Sequence, residues 1–466
     1  MEDKSFSNIY FLGIGGIGVS ALARYALVRG YNVAGYDRTP SAITDDLKKE
    51  GVNISFADEV NTIPEAFRDG THTLVVFTPA IPATNKIMQF FRNGDFRIIK
   101  RAEMLGDITR QMVGLCVAGT HGKTTTSTLL AHLLYQSEIG CNAFLGGISR
   151  NYGSNILLQP GSNLVVIEAD EFDRSFHHLS PTMAIITSAD PDHLDIYGTP
   201  EAYRESFEHF TSLIQKGGVL LMKKGVAVTP HLRPTVKQYS YAVEDKADFY
   251  SDNIVVKNAQ IYFDFHTPNG GVIEHLKLGV PVWVNIENAT AAMAIAWLNG
   301  VQESELRLGL ASFQGCLRRF NLLFNSKRIA LIDDYAHHPE ELRASIMSVK
   351  RLYPDRIFCA VFQPHLYSRT RDLLDGFVEV LSQVDNVILL PIYPAREEPI
   401  PGVSSALILE NLTSEHKLLC QKEELIPTIE AFVRQQPANK KMVILTLGAG
   451  DIDRLLPSLT EALGKL

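Results

Sequence analysis

The chain has 466 residues, 45% hydrophobic and 21% charged, with a formal net charge of −8. That length exceeds one ordinary domain and predicts about three, each with a sizeable core. The negative balance gives no electrostatic case for nucleic acid or an anionic membrane, and no apolar run reaches membrane-spanning length. The five cysteines, Cys116, Cys141, Cys316, Cys359 and Cys420, show no metal-ligand spacing. They read as buried reduced thiols of a cytoplasmic protein, and the N-terminus has no signal-peptide pattern.

The first section opens with a strand at 9–12, the turn Gly13-Ile14-Gly15-Gly16-Ile17-Gly18, a helix to 29 and a strand at 31–36. This is a βαβ unit with a GxGxxG turn, and Asp37 follows Gly18 by 19 residues, close to the spacing of a ribose-binding acid. Three readings stay open here: a nicotinamide site, the diphosphate site of another nucleotide such as a UDP-sugar, or a tight turn alone. A strand at 74–77 leads into Thr78-Pro79-Ala80-Ile81-Pro82, and a helical stretch at 101–105 closes the section near Asp107.

The second section holds the most informative feature. An apolar run at 112–117 gives way to Gly119-Thr120-His121-Gly122-Lys123-Thr124-Thr125 and then to a helix ending at 135. Strand, glycine turn, Lys-Thr, helix is the layout of a phosphate-binding loop. Backbone N–H groups converge on phosphate, Lys123 neutralises it, and the Thr124 hydroxyl ligates Mg²⁺. Val117 stands where the usual loop opens with glycine, so this loop is a variant. Continuous apolar runs at 115–118, 164–168 and 183–187 predict parallel strands covered on both faces. A further strand is expected at 217–222. Residues 249–278 alternate and predict antiparallel strands with a turn at 268–271, followed by an alanine-rich helix at 285–298. Two acidic segments end strands: Glu168-Ala169-Asp170-Glu171-Phe172-Asp173 and Asp190-Pro191-Asp192-His193-Leu194-Asp195. Strand ends of open sheets are where nucleotide-bound Mg²⁺ is held. Glu168 and His193 are the candidates, with nitrogen second-best for a hard cation. Asp170 and Asp173 read as solvated or structural.

The third section starts near Cys316-Leu317-Arg318-Arg319-Phe320. Strands at 329–333, 357–362, 386–390 and 442–446 alternate with helices, which predicts another wound parallel sheet. Asp333-Asp334-Tyr335-Ala336-His337-His338-Pro339 ends its first strand, and Gln363-Pro364-His365-Leu366-Tyr367-Ser368-Arg369-Thr370-Arg371 its second. Arg369 and Arg371 are candidates to fork a carboxylate or phosphate, Arg371 less distinctly.

GIGGIG, RAEML, GTHGKTTT, EADE, DHLDIYG, RRF, DDYAHHP, QPHLYSRTRD and LGAGDI together run from residue 13 to residue 452. In this set the chain resembles the Mur ligase family over essentially its whole length. The resemblance implies an α/β protein of three domains. These are an N-terminal Rossmann-like UDP-sugar-binding domain (1–107), a central P-loop ATPase-like parallel sheet with a small antiparallel flank (108–315), and a C-terminal Rossmann-like domain (316–466) that closes on ligands. It implies ATP and Mg²⁺ as cofactors and joining of L-alanine to UDP-N-acetylmuramate through an acyl phosphate, as a monomer or homodimer. A ligase taking a peptide in place of alanine is the nearest alternative.

By position, the resemblance gives the ATP phosphates to Gly119, Thr120, His121, Gly122, Lys123, Thr124 and Thr125. Mg²⁺ goes to Thr124, Glu168 and His193, and the adenine neighbourhood to Asn285 and Asn288. Arg319 and Asp334 meet ATP from the C-terminal side. The amino acid faces Tyr335, His337, Arg369, Gly448 and Ala449. The uridine nucleotide faces Gly15, Gly16, Ile17, Gly18, Asp37, Thr78, Ala80 and Ile81. Lys123, His337 and Arg319 are the catalytic candidates. Val284, Ser188 and Leu366 depart from the residues common at their places. Phe207 replaces a modifiable lysine, which fits the alanine-adding branch.

Overall fold

The computed structural model describes residues 6–395 and 397–466. It contains three sheets built mainly from parallel strands. The first has five, in the order Asn53–Ser55, Asn32–Tyr36, Asn8–Leu12, Thr73–Phe77, Arg97–Lys100, all parallel. Leu12 pairs with both Tyr36 and Phe77, so the GxGxxG turn, Asp37 and Thr78 emerge side by side at one sheet edge.

The second sheet has ten strands. At its centre Val113–Ala118 lies between Met183–Ile186 and Leu164–Glu168, parallel to both. Met183–Ile186 is followed outward by Val219–Lys223, Lys237–Val243, Phe249–Lys257, Gln260–His266 and Val272–Lys277; Leu164–Glu168 is followed by Asn142–Ser149 and Ser154–Leu157. The third sheet runs Asn321–Asn325, Ile329–Asp334, Met442–Leu447, Ile357–Phe362, Asn386–Leu389, His416–Leu419, with only the first strand antiparallel.

The central strands are apolar without alternation because both of their faces are buried: Leu115 through Ala118 and Val165 through Ile167 are all at most 1% exposed. All five cysteines are buried thiols outside any disulfide, as their spacing predicted. Among the described residues no helix is long and apolar enough to cross a membrane.

The chain forms two compact units. One runs to Asp252 and adds Asp264–Leu276 and Glu287–Gln314; the other holds Asn253–Phe263, Lys277–Ile286 and Gly315–Leu466. The first unit therefore contains both the first sheet and most of the second, and position 107 lies within the helix Arg101–Gln111. One continuous hydrophobic cluster explains the union, since it runs from Ile9, Phe11 and Leu22 to Phe144, Ile167 and Phe207. The helix Ile17–Val28 docks its Tyr25 edge-on against Phe144, with ring centroids 5.5 Å apart. Asn155 then donates to Ile17 O at 2.5 Å and Ser20 Oγ at 3.1 Å, so the polar ends of that contact are satisfied.

His132 is buried in this unit between the Tyr152 hydroxyl (2.8 Å from Nδ1) and the Ser312 hydroxyl (3.0 Å from Nε2). Burial holds its pKa down, from 6.5 to about 4, and does the same to His177. Both rings fold neutral and must take up protons on unfolding below 6.5. Their stabilisation is thus complete above that pH and is lost as pH falls towards 4, by up to ~3 kcal/mol for His132 and by less for the part-exposed, better-screened His177. Urea midpoints should fall steadily between pH 6.5 and 4.5, and His132→Gln should flatten the fall. A midpoint independent of pH over that range would remove this account.

Candidate functional site

The loop after Val113–Ala118 has the strand-turn-helix form that its sequence predicts, with the helix Lys123–Tyr135 following directly. Gly119 has φ +141°, and a Cβ there would lie 2.0 Å from Thr187 Oγ1, so only glycine fits. The neighbouring strand end fixes the loop. Thr187 Oγ1 donates to His121 O at 2.5 Å, the His121 N–H donates to Ser188 Oγ at 2.9 Å, and the Thr120 hydroxyl donates to Asp190 O at 2.7 Å. Ser188 therefore serves as an acceptor for the loop backbone. The Asn288 amide oxygen accepts from Thr126 Oγ1 at 3.1 Å and lies against Gly122, which puts Asn288 beside the loop. Asn285, assigned to the other unit, donates to Val280 O at 3.3 Å.

Lys123 Nζ contacts Gly119 O (2.6 Å), Thr120 O (3.2 Å) and Glu171 (2.9 Å to Oε1, 2.8 Å to Oε2). Burial alone would lower the lysine pKa, but Glu171 and Glu168 outweigh it and raise it, so the ammonium stays charged. Burial pushes the Glu171 carboxyl up, with Asp170 adding repulsion, while Lys123 opposes the rise.

The four carboxylates of 168–173 have separate partners. Glu168 Oε1 accepts from Thr124 Oγ1 at 3.1 Å. Asp170 pairs with Arg101 at 3.0 Å and accepts from the Phe172 N–H, and Asp173 pairs with Lys100 at 2.8 Å. The structural reading of these two aspartates is thereby explained: Lys100 and Arg101 bind them to the end of the first sheet. Arg101 also lies directly over Gly18.

Thr124 and Glu168 bring two hard oxygen donors together, which suits Mg²⁺. A cradle exists for the carboxylate, because a Cβ on Gly146 would fall 2.2 Å from Glu168 Oε2. His193 is half-buried at φ +53°, with its ring edge-on to Phe172. Among the described residues no three His, Cys, Asp or Glu side chains converge as a metal set.

At the first sheet's edge, Asp37 Oδ2 accepts from the Gly15 N–H at 2.8 Å, and Gly16, the N-cap of the following helix, donates its N–H to Gly13 O. The Thr78 N–H donates to Leu12 O and the Ile81 N–H to Thr78 O, which folds the 78–81 turn back towards Gly13. Ala80 is exposed on that turn.

In the second unit, Asp334 and Phe362 both pair with Leu447, so the DDYAHHP, QPH and LGAG segments leave one sheet edge together. Asp334 accepts from Ser345 and from the Ala336 N–H, and burial raises its pKa to about 6. His337 Nδ1 lies 3.0 Å from Tyr335 O and 3.3 Å from Glu341 Oε2, and burial lowers its pKa. Arg369 reaches His365 at 3.4 Å, whereas Arg371 is exposed on Asp372. Arg319 approaches Glu341 at 3.7 Å and stacks over Tyr335.

Its neighbour Arg318 was not singled out from sequence, yet it binds the edge together. It donates to Gly448 O (2.6 Å) and Gly450 O (3.1 Å), approaches Asp333 at 3.5 Å, and covers the Tyr335 ring. The only signal was its place in the Arg-Arg-Phe run. Tyr197, which donates to Glu171 O at 2.5 Å, and Tyr203, 2.9 Å from the Thr120 hydroxyl, were missed because aromatic residues on a helix read as core.

Three family models match in series: Mur ligase family, catalytic domain, over residues 8–112; Mur ligase middle domain over 117–296; and Mur ligase, glutamate ligase domain, over 318–450. The chain belongs to the Mur ligase family. It is 56% identical over 465 residues to the UDP-N-acetylmuramate–L-alanine ligase of Parabacteroides distasonis, covering 100% of this chain and 99% of that one. It is 43% identical to the enzyme of the same name from Flavobacterium johnsoniae, covering 100% of both. Among solved structures, the UDP-N-acetylmuramate-alanine ligase of Thermotoga maritima superposes with a TM-score of 0.81 at 27% identity, covering 98% of this chain and 99% of that one. A murein peptide ligase from Psychrobacter arcticus shares the fold at TM-score 0.67 and 21% identity, covering 99% of each chain.

The Gly146 cradle gives a direct test of the Glu168 site. Gly146→Ala must displace the carboxylate and should lower ATP-dependent turnover by about 10-fold or more, the scale seen when a ligand loses its alignment. Thermal stability and binding at the first sheet's edge should change little. Undiminished turnover would show that Glu168 has no part in the chemistry.

Proposed function

We propose that this Mur ligase joins L-alanine to UDP-N-acetylmuramate at the expense of ATP, releasing ADP and phosphate in peptidoglycan precursor synthesis. The observation that carries this reading is a charged, enclosed Lys123 in a phosphate loop beside the Thr124–Glu168 pair, in a chain whose full-length relatives at 56% identity bear that name.

A carboxylate is a poor electrophile. Transfer of the ATP γ-phosphoryl group to the lactyl carboxylate turns it into an acyl phosphate, and attack by the alanine amine on that carbonyl then expels phosphate. The first step brings anions together, so cations must absorb the charge as it develops. Lys123 and the N–H groups of residues 119–125 would grip the β- and γ-phosphates, and Arg319 would add a second cation. Thr124 and Glu168, with His193 as a further candidate, would hold Mg²⁺, which neutralises phosphate oxygens when bound. The turns at 13–18 and 78–81 and Asp37 would receive the uridine nucleotide.

The amine must lose a proton before or as it attacks. His337 is suited to this. Burial favours its neutral form, and its Nδ1 faces the Tyr335 carbonyl, which can only accept. The ring proton therefore sits on Nδ1, and Nε2 presents a lone pair. Arg369 would pair with the alanine carboxylate, while Tyr335, Gly448 and Ala449 would line the same edge, with Asp334 and the two asparagines, Asn285 and Asn288, towards ATP.

ADP release should require UDP-N-acetylmuramate and an amino acid together, with L-alanine preferred over glycine, serine and a murein tripeptide. Lys123→Ala should abolish ADP release while leaving UDP-N-acetylmuramate binding intact. Turnover with the tripeptide but not alanine would reassign the substrate, and turnover in Lys123→Ala would refute the loop's role.

A further inference from the structure

An ammonium has three protons to give. Lys123 directs them to three acceptors, namely Gly119 O, Thr120 O and Glu171. The two carbonyls belong to the loop and travel with it. Glu171 does not. It follows the strand Leu164–Glu168, is 2% exposed, and is anchored through its main-chain oxygen, which accepts from the Tyr197 hydroxyl at 2.5 Å and from the Arg174 N–H at 2.9 Å. Asp170 and Asp173 face Arg101 and Lys100, and Glu168 faces Thr124, so Glu171 is the carboxylate of this segment that is bonded to the lysine. A phosphate that reaches Lys123 has to take a proton donor away from an anion held in place, in a setting where water screens little.

We propose that Glu171 is a positioning residue that parks Lys123 in the nucleotide-free enzyme and competes with incoming phosphate for it. Handover of the ammonium from Glu171 to the nucleotide is then a step of binding, and affinity is set below what the loop alone would give. This rests on the reading that the loop holds ATP phosphates.

The test is calorimetric binding of ADP without added metal, which separates competition for Lys123 from any role in Mg²⁺ ligation. Glu171→Gln keeps the size and removes the charge. It should bind ADP about 10-fold more tightly, the scale of one hydrogen bond to a charged group. In steady state its KM for ATP should fall, and kcat should fall with it because Lys123 is less firmly aimed. Tyr197→Phe, which loosens Glu171 but leaves its charge, should move ADP affinity in the same direction by less, and it carries the test if Glu171→Gln does not fold. A purely structural carboxylate would weaken ADP binding when replaced, so weaker or unchanged affinity in a folded variant overturns the proposal. The underlying reading fails separately: Lys123→Ala that still binds ADP as the parent does would remove the loop assignment, whatever Glu171→Gln shows.

Discussion

A cation enclosed by protein must be met by charge or carbonyl oxygen at every proton, and the central part of this molecule is arranged around that demand. Lys123 is only slightly solvated where it stands, its side chain 14% exposed, so the loop carbonyls turn inward to it and Glu171 is brought up beside it. The rest follows in sequence. Glu171 needs Tyr197 to hold its backbone, Tyr197 needs the helix Pro200–Ser212 packed edge-on through Tyr203, and Tyr203 returns to the loop at the Thr120 hydroxyl. A closed ring of contacts thus links the loop, the acidic segment and the aromatic helix.

Charge is apportioned with the same economy along 168–173. Four carboxylates within six residues would repel one another if they shared an environment. Here two are turned towards Lys100 and Arg101, one towards Lys123 and one towards a hydroxyl. The RAEML segment is thereby explained in physical terms: its first residue and the lysine before it neutralise aspartates that would otherwise repel the neighbouring carboxylates.

Much of this was legible in the chain. Strand 164–168 and strand 357–362 were read to the residue, because unbroken apolar runs bounded by acidic or polar turns have few other interpretations. The strand-turn-helix form around Gly119–Lys123 was legible because glycine, lysine and hydroxyl occupy fixed places between an apolar run and a helical one. The strands Asn142–Ser149, Ser154–Leu157 and Lys237–Val243 were not anticipated. The first contains Gly146 and Gly147 and the second is short, so neither carries a clear period, and Lys237–Val243 begins with exposed polar residues. Arg318 and Tyr197 escaped for another reason. Arg318 works on main-chain oxygens 130 and 132 residues away and Tyr197 on one 26 residues back, and neither leaves a local spacing to read. Asp37 lay where a ribose-binding acid is expected, yet its carboxylate accepts from the Gly15 N–H, so it also braces its own turn.

The hydrophobic cluster that runs from Ile9 to Phe207 makes the first sheet and the sheet that carries Lys123 one cooperative body. The glycine turn of one and the lysine of the other are therefore melted or preserved together. A cut near residue 107 would expose Leu22 and Tyr25 on the first fragment and Phe144 on the second, and so would leave both prone to self-association. The two sheets would thus melt as a single foldon, and lesions in the helix Ile17–Val28 would register as heat sensitivity of the whole first unit.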